Sequence, residues 1–386
     1  MDESDCQVTR EASEGLLIID CAALVHNYRV LRRRLRAGSR CGAVVKADAY
    51  GLGVARVVPA LYAAGCRDFF VATLAEGEAV RPLLPEDARI VLLTGVRPGF
   101  EHACAESGLV PVLVTTAQLQ SWVEATARDG VAAPCALKLD SGMTRLGMEP
   151  AEFRQLLQQP SLLQSANVQL FLSHLACADD PHHLQNSQQL QRFSDACVAL
   201  RKVCPQVETS FANSSGIYLG EPYHFDVARP GAALYGVNPT PDQPNPMRAV
   251  VRLRLPVLQV RQVERDCAVG YGATQQARAG SWLAVVRGGY ADGVLRTQSG
   301  RGRGAAVIGG ATSEPEQRVV VPMIGRVSMD SCVFDISALS EQQRGRLQAI
   351  ELLNDELTVD HMGAAAGTIG YEILTSLGHR YGRCYL

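Results

Sequence analysis

The sequence predicts a closed (β/α)8, TIM-like barrel followed by a mainly antiparallel β-domain. First, from residue 41 apolar strand-like runs alternate with helical segments: CGAVVK, DFFVAT, RIVLLT, VPVLVT, PCALKLD, NVQLFLSH, ETSFAN and FDVARPG. Eight such runs spread over roughly 200 residues fit a barrel of parallel strands covered by helices. Second, the G-x-G-x-x-G turn that a doubly wound open sheet would carry after its first strand is missing. Third, the texture changes after Gly236. Pro-rich VNPTPDQPNPMR reads as a linker, and VRLRLPVLQVRQV, WLAVVRGG, RVVVPMIGRV and SCVFDIS follow, alternating and separated by glycine-rich turns. That is the pattern of antiparallel strands.

In order along the chain, residues 1–14 read as a disordered, acidic tail, and GLLIID (15–20) as a short strand. The barrel is expected over 21–238 and the β-domain over 239–386. In the first helix Leu24, Tyr28, Leu31 and Leu35 share one face at helical spacing, and the arginines at 32–34 and 36 form a solvated face. The 386 residues are 47% hydrophobic and 20% charged with net charge −2, which offers nucleic acid or a membrane surface no electrostatic hold. No apolar run approaches the ~20 residues of a membrane span. The N-terminus lacks the basic and apolar regions of a secretory signal. Twelve cysteines are scattered without CxxC pairs, so reduced thiols and a cytoplasmic location are expected. ADDPHH, with His182 and His183, reads as a polar loop around a proline, and no metal site is expected.

The stretch CGAVVKADAYGLG (41–53) is the centre of the reading. A strand that is apolar on both faces ends in one lysine, Lys46, and breaks at once into Gly51 and Gly53. Desolvation there would depress the ammonium pKa toward a nucleophilic amine. Two readings stand: a Schiff-base lysine for an aldehyde cofactor, or a lysine that snorkels into solvent. Further unusual residues fall at the ends of the expected strands: Lys138 and Asp140 on the fifth, His174 on the sixth, Asn213 and Ser214 on the seventh, Arg229 on the eighth. Barrels gather functional groups on that rim, and bind phosphate in turns after the last strands.

VVKADAYGLG resembles the cofactor-lysine motif of alanine racemases, enzymes that use pyridoxal 5′-phosphate (PLP), with Asp48 and Leu52 where Asn and His are common. KLDSGMTRLG, SHLACADD, FANSSG, ARPGAALYG, RGGYADG, GRVSMD and TIGYEIL resemble further motifs of that family, in the same order, from about residue 15 to the end. The resemblance implies that GLLIID joins the β-domain. It implies catalytic roles for Lys46 and Tyr290, and PLP contacts from Lys46, Tyr50, His174, Ser214, Arg229, Gly231, Ala232 and Tyr371. Arg145 and the Met329 N–H would hold the substrate carboxylate. Lys138, often a carbamate in the family, Asp179 near the entrance, Arg326 and Asp330 would support them. It also implies a homodimer with shared active sites.

Racemisation takes a proton from one face of Cα and returns one to the other, so two bases must flank the cofactor. A phenol of ordinary pKa about 10 needs a nearby cation to act as base at neutral pH, and His174 or Arg145 is the expected source. Arg229 on the pyridine nitrogen would keep that nitrogen unprotonated and limit side reactions. Bland alternatives are a Lys138–Asp140 ion pair, a purely structural Tyr290 turn, and Tyr271 as β-domain structure or dimer contact. The expected activity is interconversion of L- and D-alanine, supplying D-alanine for cell-wall synthesis. The alternatives are a racemase for serine or another small amino acid, and a PLP decarboxylase or aldolase on the same plan.

Overall fold

The computed structural model describes residues 14–128, 130–309 and 316–386. Nearly all of the expected tail lies outside the described residues, as does most of GGATSEPEQR (309–318), which the sequence reads as a polar loop of no assigned role. The chain divides into two compact units: 25–234 with 238–247, and 235–237 with 248–386 and the segment through Leu24.

After β1 (Leu16–Ile19) and the helix Cys21–Arg34, the first unit carries β2 (Arg40–Cys41), β3 (Ala43–Val44), β4 (Asp68–Val71), β5 (Arg89–Leu92), β6 (Val110–Leu113), β7 (Cys135–Lys138), β8 (Val168–Leu172), β9 (Glu208–Ser210) and β10 (Val227–Ala228). Strands β3 to β9 form one parallel sheet in chain order. β10 pairs parallel with β2, while Asp226 and Arg229 donate their N–H to Thr209 and Ala212 beside β9, which closes the ring. β2 and β3 are one strand interrupted at Gly42, where a Cβ would lie 2.7 Å from the Phe70 ring and 2.8 Å from the Asp68 carbonyl. Every residue of β4, β6 and β7 is buried, as strands covered on both faces must be.

At the N-terminal ends of the strands, Asp68 accepts ion pairs from Arg40 (2.9 Å) and Arg89 (2.5 Å). Glu208 takes the same two arginines at 2.6 and 2.8 Å. These ion pairs sit on the bottom face, opposite the C-terminal ends where barrel chemistry is found.

The second unit contains β11 (Val251–Gln262), β12 (Cys267–Val269), β13 (Gln275–Ala277), β14 (Trp282–Arg287), β15 (Arg303–Ile308), β16 (Gln317–Pro322), β17 (Ser331–Asp335), β18 (Leu347–Leu353) and β19 (Gly382–Tyr385). Its main sheet runs β16-β15-β18-β11-β1-β19, with β14 and β17 continuing from β11. The N-terminal strand β1 is therefore part of this sheet, antiparallel to β11 and parallel to β19. Leu17 and Ile19 are fully buried there. A bulge between Val257 and Gln259 lets the twelve-residue β11 serve β1 and β18 with its first half and β14 with its second.

Among the described residues, ten cysteines are free thiols. Among the described residues, no helix is long and apolar enough to cross a membrane. Nor does any group of three His, Cys, Asp or Glu side chains among them form a metal-binding cluster.

Candidate active site

Lys46 follows the first barrel strand, two residues later than a strand-terminal lysine would stand, because the strand ends at Val44. It opens the turn Lys46–Gly51, in which Ala47, Asp48, Ala49 and Tyr50 all have φ between 53° and 57°. Four consecutive non-glycine residues in the left-handed region cost about 1–2 kcal/mol each. Such strain persists only where surrounding contacts determine it. Here Glu76 accepts from the Ala47 N–H at 2.9 Å and the Ala72 N–H at 2.7 Å. The Asp48 carboxylate accepts from the Val54 N–H at 2.7 Å, closing the far end of the turn onto the next helix. Lys46 is thereby held half-buried at the rim, and burial followed by the Arg145 charge lowers its pKa.

Arg229, 3% exposed, lies at the end of β10. Its Nη1 donates to Ser210 Oγ at 2.6 Å, and its Nη2 to the Ser173 carbonyl at 2.6 Å and to His174 Nδ1 at 3.2 Å. Three of a guanidinium's five N–H bonds are so used, which leaves Nε–H and one Nη1–H for an acceptor that the protein does not supply among its described residues. Burial, then the Arg229 charge, holds the His174 imidazole well below its ordinary pKa. His174 is thus neutral, accepts from Arg229 at Nδ1, and is not the cation expected to assist a phenol. Arg145, exposed and permanently charged, is the candidate that stays.

Lys138 ends β7 with 7% exposure and forms no ion pair among the described residues. The alternative pairing with Asp140 is not made. That carboxylate instead accepts the backbone N–H groups of Gly142 (2.8 Å), Met143 (2.9 Å), Thr144 (3.1 Å) and Arg145 (3.1 Å), and so shapes the loop that carries Arg145. Burial, then Arg229 and Arg145, lowers the Lys138 pKa to about 8.

Ser214 is buried, and its Oγ accepts from Gly231 N–H at 3.0 Å and Ala233 N–H at 3.2 Å. The Gly231 N–H expected to face a phosphate is therefore already engaged by Ser214. The Ser214 hydroxyl hydrogen remains, with the Ala232 N–H at the first position of the turn Ala232–Tyr235, where helix starts leave donors free. Tyr50 reaches the same place, since a Cβ on Gly231 would fall 2.4 Å from its hydroxyl. Asp179 is exposed in the loop after β8.

In the second unit, Tyr290 opens the turn Tyr290–Asp292 and is 44% exposed. It lines an open pocket with Tyr271, Arg296, Val327, Met329 and Asp330. The Tyr290 N–H donates to the Ser328 carbonyl and the Ala291 N–H to the Met329 carbonyl, both at 3.0 Å. Gly289 is obligatory at this crossing, because a Cβ would stand 2.3 Å from those same two carbonyl oxygens. Arg326 packs on Gly272, 2.9 Å from where that residue's Cβ would be. Tyr271, assigned from sequence to structure or dimer contact, is 68% exposed on the pocket wall. Tyr371 is partly exposed on the helix Gly370–Ser376.

Both units match known families: residues 19–239 fit the alanine racemase N-terminal domain and residues 250–385 the alanine racemase C-terminal domain. The chain belongs to the alanine racemase family. It is 46% identical to an alanine racemase of Rhodospirillum rubrum, over 97% of this chain and 96% of that protein. It is 45% identical to a catabolic alanine racemase of Mesorhizobium japonicum, over 98% and 95%. The crystal structure of the Bartonella henselae alanine racemase, with covalently bound pyridoxal phosphate, superposes with TM-score 0.87 at 37% identity, covering 97% of this chain and 99% of that one.

Beside the family motifs, several positioning groups went unseen in the sequence. Glu76, Ser173 and Ser210 carry no signal of their own: each is a common residue in a helix or strand, and acquires its task only through partners distant in the chain.

Proposed function

We propose that this chain racemises alanine with PLP held at the barrel rim. The observation that carries the proposal is Arg229, a buried guanidinium with two N–H groups left over, beside neutral His174. Its donors fit the pyridine nitrogen of PLP, as Tyr50, Ser214 and Ala232 fit its phosphate. Lys46 would hold the aldehyde carbon and His174 would lie on the ring. Bound there, PLP supplies the electron sink that makes a substrate Cα–H acidic.

The remaining work falls to the chain. Lys46 and Tyr290 each take or return the Cα proton on one face. The Met329 N–H, with no protein acceptor among the described residues, and the Arg145 guanidinium hold the substrate carboxylate, supported by Asp330 and Arg326. Retaining the carboxylate in this way disfavours decarboxylation. The test is chiral chromatography of products from a panel of L-amino acids with PLP present. D-alanine as the main product is expected. Release of CO2, or faster racemisation of serine, would replace this reading by one of its alternatives. A cytoplasmic homodimer that supplies D-alanine for the cell wall belongs to the same proposal.

Lys138 is proposed as a carbamate. A lysine with its pKa lowered to about 8 offers appreciable neutral amine near neutral pH, and that amine adds CO2, forming an N–C bond and releasing one proton. The resulting anion would offset the Arg229 and Arg145 charges that disfavour an ammonium there. With ¹³C-bicarbonate, a carbamate carbon resonance is expected in the wild type and absent in Lys138→Ala. A wild-type spectrum without it would leave Lys138 a buried lysine without a carbamate.

A further inference from the structure

The turn that presents Tyr290 is tied to the rest of its unit by its backbone bonds to Ser328 and Met329 and by one buried carboxylate. Asp292 Oδ2 accepts the Gly289 N–H at 3.0 Å, across the turn from Tyr290. Its side chain is only 6% exposed, and a buried carboxylate is costly without a cation. Arg380 provides it, with Nε at 2.6 Å from Oδ1 and Nη2 at 2.8 Å from Oδ2, a two-point grip that a planar fork makes and an ammonium cannot. The third guanidinium nitrogen, Nη1, lies 2.8 Å from Asp330 Oδ1. Arg380 therefore spans two of the segments that line the pocket, 289–293 and 328–330. Its own loop is fastened to the same turn, since the Gly378 N–H donates to the Asp292 carbonyl at 3.1 Å. Arg380 itself does not line the pocket of Tyr290 and Met329.

We propose that Arg380 is a positioning residue that fixes the Tyr290 phenol relative to the Met329 N–H by clamping Asp292 to Asp330. The proposal rests on the reading of Tyr290 as one of two bases. It predicts that loosening the clamp harms proton transfer on the Tyr290 face and spares the Lys46 face. The test compares holoenzymes of wild type, Arg380→Met, Arg380→Lys and Tyr290→Phe. Racemisation is measured beside loss of deuterium to solvent from each α-deuterated alanine enantiomer. In Arg380→Met, racemisation is expected to fall about 10²-fold, the cost of a catalytic group misplaced by about an ångström. Deuterium loss from one enantiomer, the one whose Cα–H faces Lys46, should stay at the wild-type rate. Arg380→Lys keeps the charge without the fork and should fall between Arg380→Met and wild type.

Amide hydrogen exchange supplies a readout independent of turnover. Peptides covering 288–294 and 328–331 should lose protection, with β15 and β18 unchanged. Equal slowing of deuterium loss from both enantiomers, wild-type racemisation in either Arg380 variant, or exchange rising across the whole sheet would overturn the proposal. Should Arg380→Met not fold, Arg380→Lys carries the same comparison. Tyr290→Phe keeps the two hypotheses apart: if it slows both enantiomers equally, the base assignment is wrong, and the exchange data alone then decide the clamp.

Discussion

Lys46→Ala is expected to remove racemase activity almost completely, by at least the roughly 10²–10⁴-fold that a positioned proton-transfer group contributes. The variant should fold, because Lys46 is half-buried and the left-handed turn that follows it is held through the Ala47 N–H and the Asp48 carboxylate, not through the lysine side chain. Borohydride reduction of the wild type with PLP should leave the cofactor covalently on the peptide that contains Lys46, and on no peptide of the variant. The direction of its pKa shift favours this lysine over others: burial and the Arg145 charge lower it, so its neutral form is available at lower pH than that of an ordinary lysine. Lys138 is the internal competitor, since it is also buried with a lowered pKa. Labelling at Lys138 in place of Lys46 would move the centre of the site to β7.

The rim was legible because alternation of strands and helices places strand ends without any tertiary information. Lys138, His174 and Arg229 stand at or just beyond the ends of β7, β8 and β10, where the apolar runs stop. What escaped is what depends on partners distant in sequence. Glu76 sits in the first turn of a helix and belongs to no motif, and its acceptor role appears only against Ala47, 29 residues earlier. Arg380 and Asp292 are 88 residues apart, and neither local sequence announces the other. The turn after Lys46 was hidden for a different reason. Ala47 to Tyr50 include no glycine, so local preference argues against the left-handed backbone that tertiary hydrogen bonds impose there. Charge states were likewise invisible: the sequence offered His174 as a cation, and only its burial beside Arg229 makes it neutral.

The second large effect concerns how Lys46 and Tyr290 come together. We propose a two-fold dimer in which Tyr290 of one chain serves the partner subunit's Lys46, giving two equivalent shared sites. Tyr290 is 44% exposed on an open pocket, which leaves its phenol accessible to a partner chain. Tyr290→Phe should then be nearly as inactive in racemisation as Lys46→Ala, since each lacks one base of the two-face transfer. The two variants are unfolded and refolded together in equal amounts, so that random pairing makes about half the dimers mixed. In a mixed dimer with shared sites, one site collects both lesions and the other has neither. Counting intact sites, about a quarter of wild-type activity should return. If Tyr290 instead serves the Lys46 of its own chain, every site in the mixture carries one lesion and activity stays at the level of the single variants. Mixed dimers are scored separately by a mass tag on one variant. Their presence without any recovered activity would rule out the shared site.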